Sequence, residues 1–193
     1  MSTETAARFT LVGYFPKLVM PRLDEWWMAE NVVEVCSVGE CISESPNGWI
    51  EQWKHNDCFF YDSIETAEAV ARIDPRSFEI FAYRVLDRRF DVDGERAVSL
   101  PAIRPNPLSP DWRMIGYDAV ECTQGFETGA AVECSPLSCN RVSKEVEVNR
   151  YCLIDEFDRA HDLALNFGTQ AINVEPGPYY LFEVWRRGER GGA

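Results

Sequence analysis

A chain of 193 residues with 46% hydrophobic and 26% charged side chains has the make-up of a packed globular protein, which excludes wholesale disorder. Its 32 acidic against 19 basic residues give a net charge of −13. A field of that sign repels phosphate backbones and attracts basic groups, so nucleic-acid binding is not expected and a basic protein partner is.

No apolar run approaches the ~20 residues that cross a bilayer. The opening MSTETAARFTLVGYF lacks the basic and apolar regions of a secretory signal. A soluble, cytoplasmic protein without membrane contact is therefore expected. Its seven cysteines (Cys36, Cys41, Cys58, Cys122, Cys134, Cys139 and Cys152) then read as thiols rather than disulfides.

The first strand-like run holds Gly13-Tyr14. The segment PRLDEWWMAEN follows, and its adjacent Trp26 and Trp27 point to different sides of any regular element. They are either buried filler or an aromatic anchor for a partner. VVEVCSVGEC then carries Cys36 and Cys41, and DCFFY at 57–61 reads as a short strand. IETAEAVARI, from Ile64, puts Ile64, Ala67, Val70 and Ala71 on one helical face, with Ser63 as N-cap. Asp74-Pro75 ends that helix. FEIFAYRV at 78–85 is apolar on both faces, as an interior strand is. Asp93-Gly94 marks a hairpin.

Residues 100–112, LPAIRPNPLSPDW, contain four prolines and read as a connector. Beyond it the order repeats. Gly116-Tyr117 matches Gly13-Tyr14, and ECSPLSC, with Cys134 and Cys139, matches VCSVGEC as a second Cys-Ser-x3-Cys. YCLID at 151–155 matches DCFFY, and EFDRAHDLALNF from Glu156 gives a second amphipathic helix with Gly168 as its cap. YYLFEVWR at 179–186 closes the second half as FEIFAYRV closes the first. The reading is an α+β fold of two diverged repeats, 9–99 and 113–187, joined by 100–112 and followed by a frayed tail at 188–193. The repeats are expected to pack about a pseudo-twofold into one core. That core would hold a mixed or antiparallel sheet with helices on one face, in a ferredoxin-like arrangement.

No motif fixes a reaction. The chain has no G-x-x-x-x-G-K-[ST] and no G-x-G-x-x-G. Asp91, Asp93 and Glu95 open like a calcium loop, but Ala102 stands where the closing glutamate belongs. The matched sets, Cys36, Cys41 and Cys58 and then Cys134, Cys139 and Cys152, each hold three cysteines and no evident fourth zinc ligand, so no metal or other cofactor is expected. Alternation puts Cys134 on the face of Val132 but Cys36 on the face of Glu34, which does not suit one shared site. A cysteine nucleophile would need a base, and His161 sits off the apolar stripe of its helix. No catalytic residue is assigned.

Two functions follow as expectations. The first is a non-enzymatic acidic interaction protein (inhibitor, immunity-type or accessory factor) that binds a basic partner. The alternative is a cysteine- or metal-dependent enzyme using the Cys-Ser-x3-Cys segments. Candidate binding residues are Trp26, Trp27, Glu133, Cys134, Ser135, Ser138 and Asn140, with Cys36, Ser37 and Glu40 placed to converge on them if the halves face each other.

Overall fold

Strands that are apolar on both faces demand neighbours on both edges, and the two closing strands find one another. The computed structural model describes residues 9–22, 28–39, 45–47, 60–90, 108–125, 129–132, 134–169, 172, 174 and 177–188. Its main sheet contains β1 (Phe9–Lys17), β4 (Glu79–Phe90), β7 (Tyr179–Arg187), β5 (Trp112–Gly125) and β6 (Gly129–Val132), side by side in that order. A two-stranded ribbon pairs β2 (Met20–Pro21) with β3 (Glu34–Val35). Every pairing among these strands is antiparallel. The fold is α+β.

β4 and β7 meet with Phe81 opposite Arg186, Tyr83 opposite Val184 and Val85 opposite Phe182. Arg84 and Glu183 also face each other across this seam, at 2.8 Å. Glu183 accepts a second bond from the Trp185 indole at 3.0 Å. Burial raises the Glu183 pKa, while Trp185 and Arg84 pull it down.

The ferredoxin-like arrangement is not the one found. There the strands joined through a helix are split by another strand. Here β1 and β4, which flank α1 (Ile64–Ala71), are direct antiparallel neighbours, as are β5 and β7 around α3 (Phe157–Gly168). The connections between them run through further turns and strands besides the helix, so each chain returns beside the strand it left.

α1 packs on β1 and β4 and buries Ala67 and Val70. The Ser63 hydroxyl caps it, accepting from the Thr66 amide at 3.2 Å. The helix stops at Ala71, before the proline. Asp74 instead anchors the turn that follows, accepting from the Arg76 side chain at 2.8 Å and from the Asn47 amide at 3.0 Å. Those bonds hold its carboxyl well below the usual carboxylate range. α3 buries Ala160, Leu163, Ala164 and Phe167 against β5 and β7. Gly168 is its last residue rather than its cap, and Thr169 takes the cap position. α2 (Pro136–Cys139) is a single turn, with Pro136 at its start. The expected hairpin at Asp93-Gly94 and most of the proline-rich connector lie outside the described residues.

Gly13 and Gly116 share a geometry. Each follows a register shift, in β1 and β5 respectively, with φ of 150° and 145°. The tyrosine after each makes an isolated antiparallel bridge beyond the sheet edge, Tyr14 to Tyr61 and Tyr117 to Ile154. A Cβ at Gly13 would lie 2.5 Å from the Phe60 Cβ, and one at Gly116 2.7 Å from the Leu153 Cβ. Strain and overlap act together at both positions. Gly13→Ala and Gly116→Ala should each lower stability on the order of 3 kcal/mol in urea unfolding. A loss under about 1 kcal/mol at either site would mean that the bridge segment yields easily.

Candidate functional site

The two Cys-Ser-x3-Cys segments converge on one carboxylate. Asp118 lies in β5 between Tyr117 and Ala119, where it has no solvent exposure. Ser37, from the first segment, donates to its Oδ2 at 3.0 Å, and the Val38 amide donates to the same oxygen at 2.8 Å. Ser135, from the second segment, donates to Oδ1 at 2.5 Å. The Ser37 oxygen in turn accepts from the Gly39 amide at 3.1 Å.

Lys17, the last residue of β1, closes the cluster with 3% exposure. Its ammonium donates to the carbonyls of Ser37, Val38 and Gly39 at 2.9, 2.6 and 3.2 Å. It also stands over the rings of Phe15 and Tyr83 at 5.9 and 5.7 Å from their centroids. The Lys17 charge acts on Asp118. Burial raises the Asp118 pKa; the bonds from Ser135, Val38 and Ser37 and the charge of Lys17 oppose that rise.

A serine hydroxyl held by a carboxylate beside a lysine has the parts of an activated nucleophile. The placement keeps those groups away from solvent. The lysine donors are engaged by backbone, and Ser37 and Ser135 are buried. Its chemistry is that of a latch. One carboxylate ties the loop after β3 to the start of α2, and one ammonium ties that loop to β1.

The thiols of Cys36, Cys122 and Cys152 are buried as well. The five described cysteines are unoxidised. Burial pushes the Cys36 thiol up to about 12; it does the same to Cys152, where the nearby Asp118 charge adds to the effect. The Cys152 thiol donates to the Leu137 carbonyl at 3.5 Å. The face argument from alternation fails at Cys36 because β3 ends at Val35, so Cys36 turns inward while Val33 is 51% exposed. Cys134 and Cys139 are half-buried. Among the described residues no three His, Cys, Asp or Glu side chains are grouped to hold a metal ion.

Of the candidate binding residues, Ser135 and Ser138 are buried and Asn140 is half-buried. Trp26, Trp27 and Glu133 lie outside the described residues, as do Glu40 and Cys41. Asp118 and Lys17 were missed. The available signals were an aspartate inside the apolar run YDAV and a lysine ending the run GYFPK. The accessible charge lies elsewhere. Asp155, Glu156, Asp158 and Asp162 are exposed around the start of α3, next to exposed Glu145 and Glu147. Arg159, which bonds Glu147 at 2.8 Å, offsets part of that charge. Among the described residues no helix is long and apolar enough to cross a membrane. No protein-family model, curated protein or solved structure matches this chain.

Lys17→Met and Asp118→Asn should each lower stability by about 3 kcal/mol, because the first leaves three buried carbonyls without a donor and the second sets an amide NH2 against buried hydroxyl and amide donors. The double variant should lose at least about 1 kcal/mol less than the sum of the two. Additive losses in denaturant titrations would show that the two groups do not interact.

The two buried carboxyls also carry opposite pH signatures. The Asp118 pKa is raised, so its contribution to stability is present at low pH. It is lost as pH rises from the ordinary value near 4 through the folded one. The Asp74 pKa is depressed, so its contribution is present above pH ~4 and is lost as pH falls toward the folded value. Stability profiles of Asp118→Asn and Asp74→Asn against the parent chain should therefore diverge in opposite directions. Parallel profiles would contradict the assignment.

Proposed function

We propose that this chain is a non-enzymatic acidic interaction protein, an inhibitor, immunity-type or accessory factor, that binds a basic protein partner. The observation that supports this reading is the contrast between its reactive and its accessible groups. The serines and lysine of the convergent cluster are sealed in the core, and so are the thiols of Cys36 and Cys152. The carboxylates around α3 stand in solvent. With a net charge of −13, that surface would speed the approach of a cationic partner and disfavour acidic competitors. The high thiol pKa values of Cys36 and Cys152 weigh against the alternative, a cysteine-dependent enzyme. Buried thiols also fit the cytoplasmic setting that belongs to this proposal.

We further infer that the two halves, 9–99 and 113–187, are diverged copies packed about a pseudo-twofold. The strand order β1-β4-β7-β5 reads the same after exchange of the halves. The Tyr83–Val184 pair would lie on the axis, since Gly13 is opposite Tyr83 and Gly116 is opposite Val184. The matched glycines, the matched bridges and the matched serines Ser37 and Ser135 support the same axis. Superposing β1 and β4 on β5 and β7 should carry Tyr61 onto Ile154. A one-residue offset would overturn the reading.

The functional proposal is tested by capture from native extract at low and high salt. A specific partner should be retained at about 0.05 M salt and released near 0.5 M. Glu156→Lys/Asp158→Lys/Asp162→Lys should weaken retention on the order of tenfold. A partner held equally at both salt levels and by both proteins would exclude capture through this surface.

A further inference from the structure

Four arginines gather at one end of this acidic molecule. Arg113, Arg150, Arg186 and Arg187 line a cavity of about 690 Å³ together with Tyr151, Glu34, Glu79 and Ser77. A second cavity of about 340 Å³ shares Arg113, Arg150 and Tyr151 with the first and extends to Asn149 and Asp155. The larger volume lies within the range of small-molecule sites.

The arginines divide into two kinds. Arg186 is fixed: its Nη2 meets Glu79 Oε1 at 2.5 Å and its Nη1 meets Glu34 Oε2 at 2.5 Å. Arg187 is fixed by Asp111, at 2.9 Å, and by Glu68. Arg113 and Arg150 have no such anchor among the described residues. Arg150 is 58% exposed, with its nearest carboxylate, on Glu34, 3.9 Å away. Arg113 is exposed and donates to the Tyr151 hydroxyl at 2.8 Å.

Tyr151 organises the pair. The guanidiniums of Arg150 and Arg186 lie 5.4 and 5.8 Å from the centroid of its ring. Asn149 holds its backbone in place, accepting from the Tyr151 amide at 2.9 Å. Because the phenol oxygen accepts from Arg113, its own O–H remains to donate. Two guanidiniums and one phenol, which line both cavities, therefore present donors there, with no carboxylate within hydrogen-bond distance of either guanidinium among the described residues. Glu34 and Glu79 are occupied by Arg186, which mutes their repulsion of an anion. Arginine forks match planar or tetrahedral oxyanions, which they bind through paired N–H donors.

We propose that this groove binds a small ligand through an oxyanion group, phosphoryl or carboxylate, held by Arg113, Arg150 and the Tyr151 hydroxyl. The proposal is independent of the partner surface around α3. The test titrates the full chain with inorganic phosphate and, separately, with citrate, at an ionic strength fixed with sodium chloride. Heat release and thermal unfolding are followed. At least one oxyanion should bind saturably and raise the unfolding temperature beyond the chloride control. Whichever binds more tightly identifies the phosphoryl or the carboxylate class.

Arg113→Gln and Arg150→Gln should each weaken that binding on the order of tenfold. Tyr151→Phe, which removes only the hydroxyl, should weaken it less, and Arg159→Gln on α3 should leave it unchanged. All four changes are at the surface or remove a single atom, and far-ultraviolet circular dichroism checks each fold. No binding beyond chloride overturns the proposal. So does binding that survives both arginine changes, or that Arg159→Gln weakens equally.

Discussion

A carboxylate with no solvent exposure has to find its donors inside the protein, and the placement of Asp118 sets that demand at the junction of the two halves. Moving an ion from water into a protein interior costs several kcal/mol even after relaxation. Three hydrogen bonds and a lysine answer that cost here, and none comes from the strand that carries Asp118. Ser37 and Val38 come from the loop after β3, Ser135 from the approach to α2 and Lys17 from the far edge of the sheet. The cluster therefore forms only when β1, β5 and both Cys-Ser-x3-Cys segments are in place. A buried charged cluster adds little net stability over an apolar core of the same shape. Its effect is to penalise any packing of the halves that leaves the carboxylate or the ammonium unmatched.

The rest of the architecture is consistent with that junction. The halves meet along β4 and β7, where aromatic and β-branched side chains interlock and Arg84 faces Glu183. At each outer edge a glycine lets a short segment come close enough to bridge the tyrosine that follows it. Those bridges fix the segments at 60–61 and 153–154. The loop carrying Cys36 and Ser37 is then drawn onto the same end, since the Cys36 amide bonds to the Tyr151 carbonyl at 3.1 Å. Tyr151 thus links the two regions: its backbone holds the loop that reaches Asp118, and it lines both arginine-lined cavities.

Much of the fold was legible because local signals and burial agreed. Ser63 caps α1, the stripe Ala160, Leu163, Ala164 and Phe167 faces the core, and the two closing strands are interior, all as their patterns imply. Strand order was not legible. Periodicity reports which face a strand buries, not which strand lies beside it, so the split arrangement and the observed one share one pattern. The ends of α1 and α3 shifted by a residue or two, because helix ends follow local hydrogen bonds more than the nearest proline or glycine. Cys36 escaped the alternation argument because its strand is only two residues long.

The candidate site was half legible. The spacing of the Cys-Ser-x3-Cys segments drew attention to the cysteines, yet the serines between them make the convergent contact. A serine hydroxyl can satisfy a buried carboxylate at normal hydrogen-bond distance, whereas a thiol is a weak donor. The carboxylate itself was invisible as a site, since one aspartate among 32 acidic residues carries no special weight in a sequence. The arginine groove was hidden for the same reason in reverse. Arg113, Arg150 and the pair Arg186-Arg187 are far apart along the chain; the pairing of β7 beside β5 and the bonds from the Val33 and Glu34 amides to the Arg150 carbonyl bring them to one end. Carboxylates fix two of these guanidiniums, while the other two stay exposed around a held tyrosine. The exposed pair keeps its donors directed at solvent, which is the geometry an oxyanion can use.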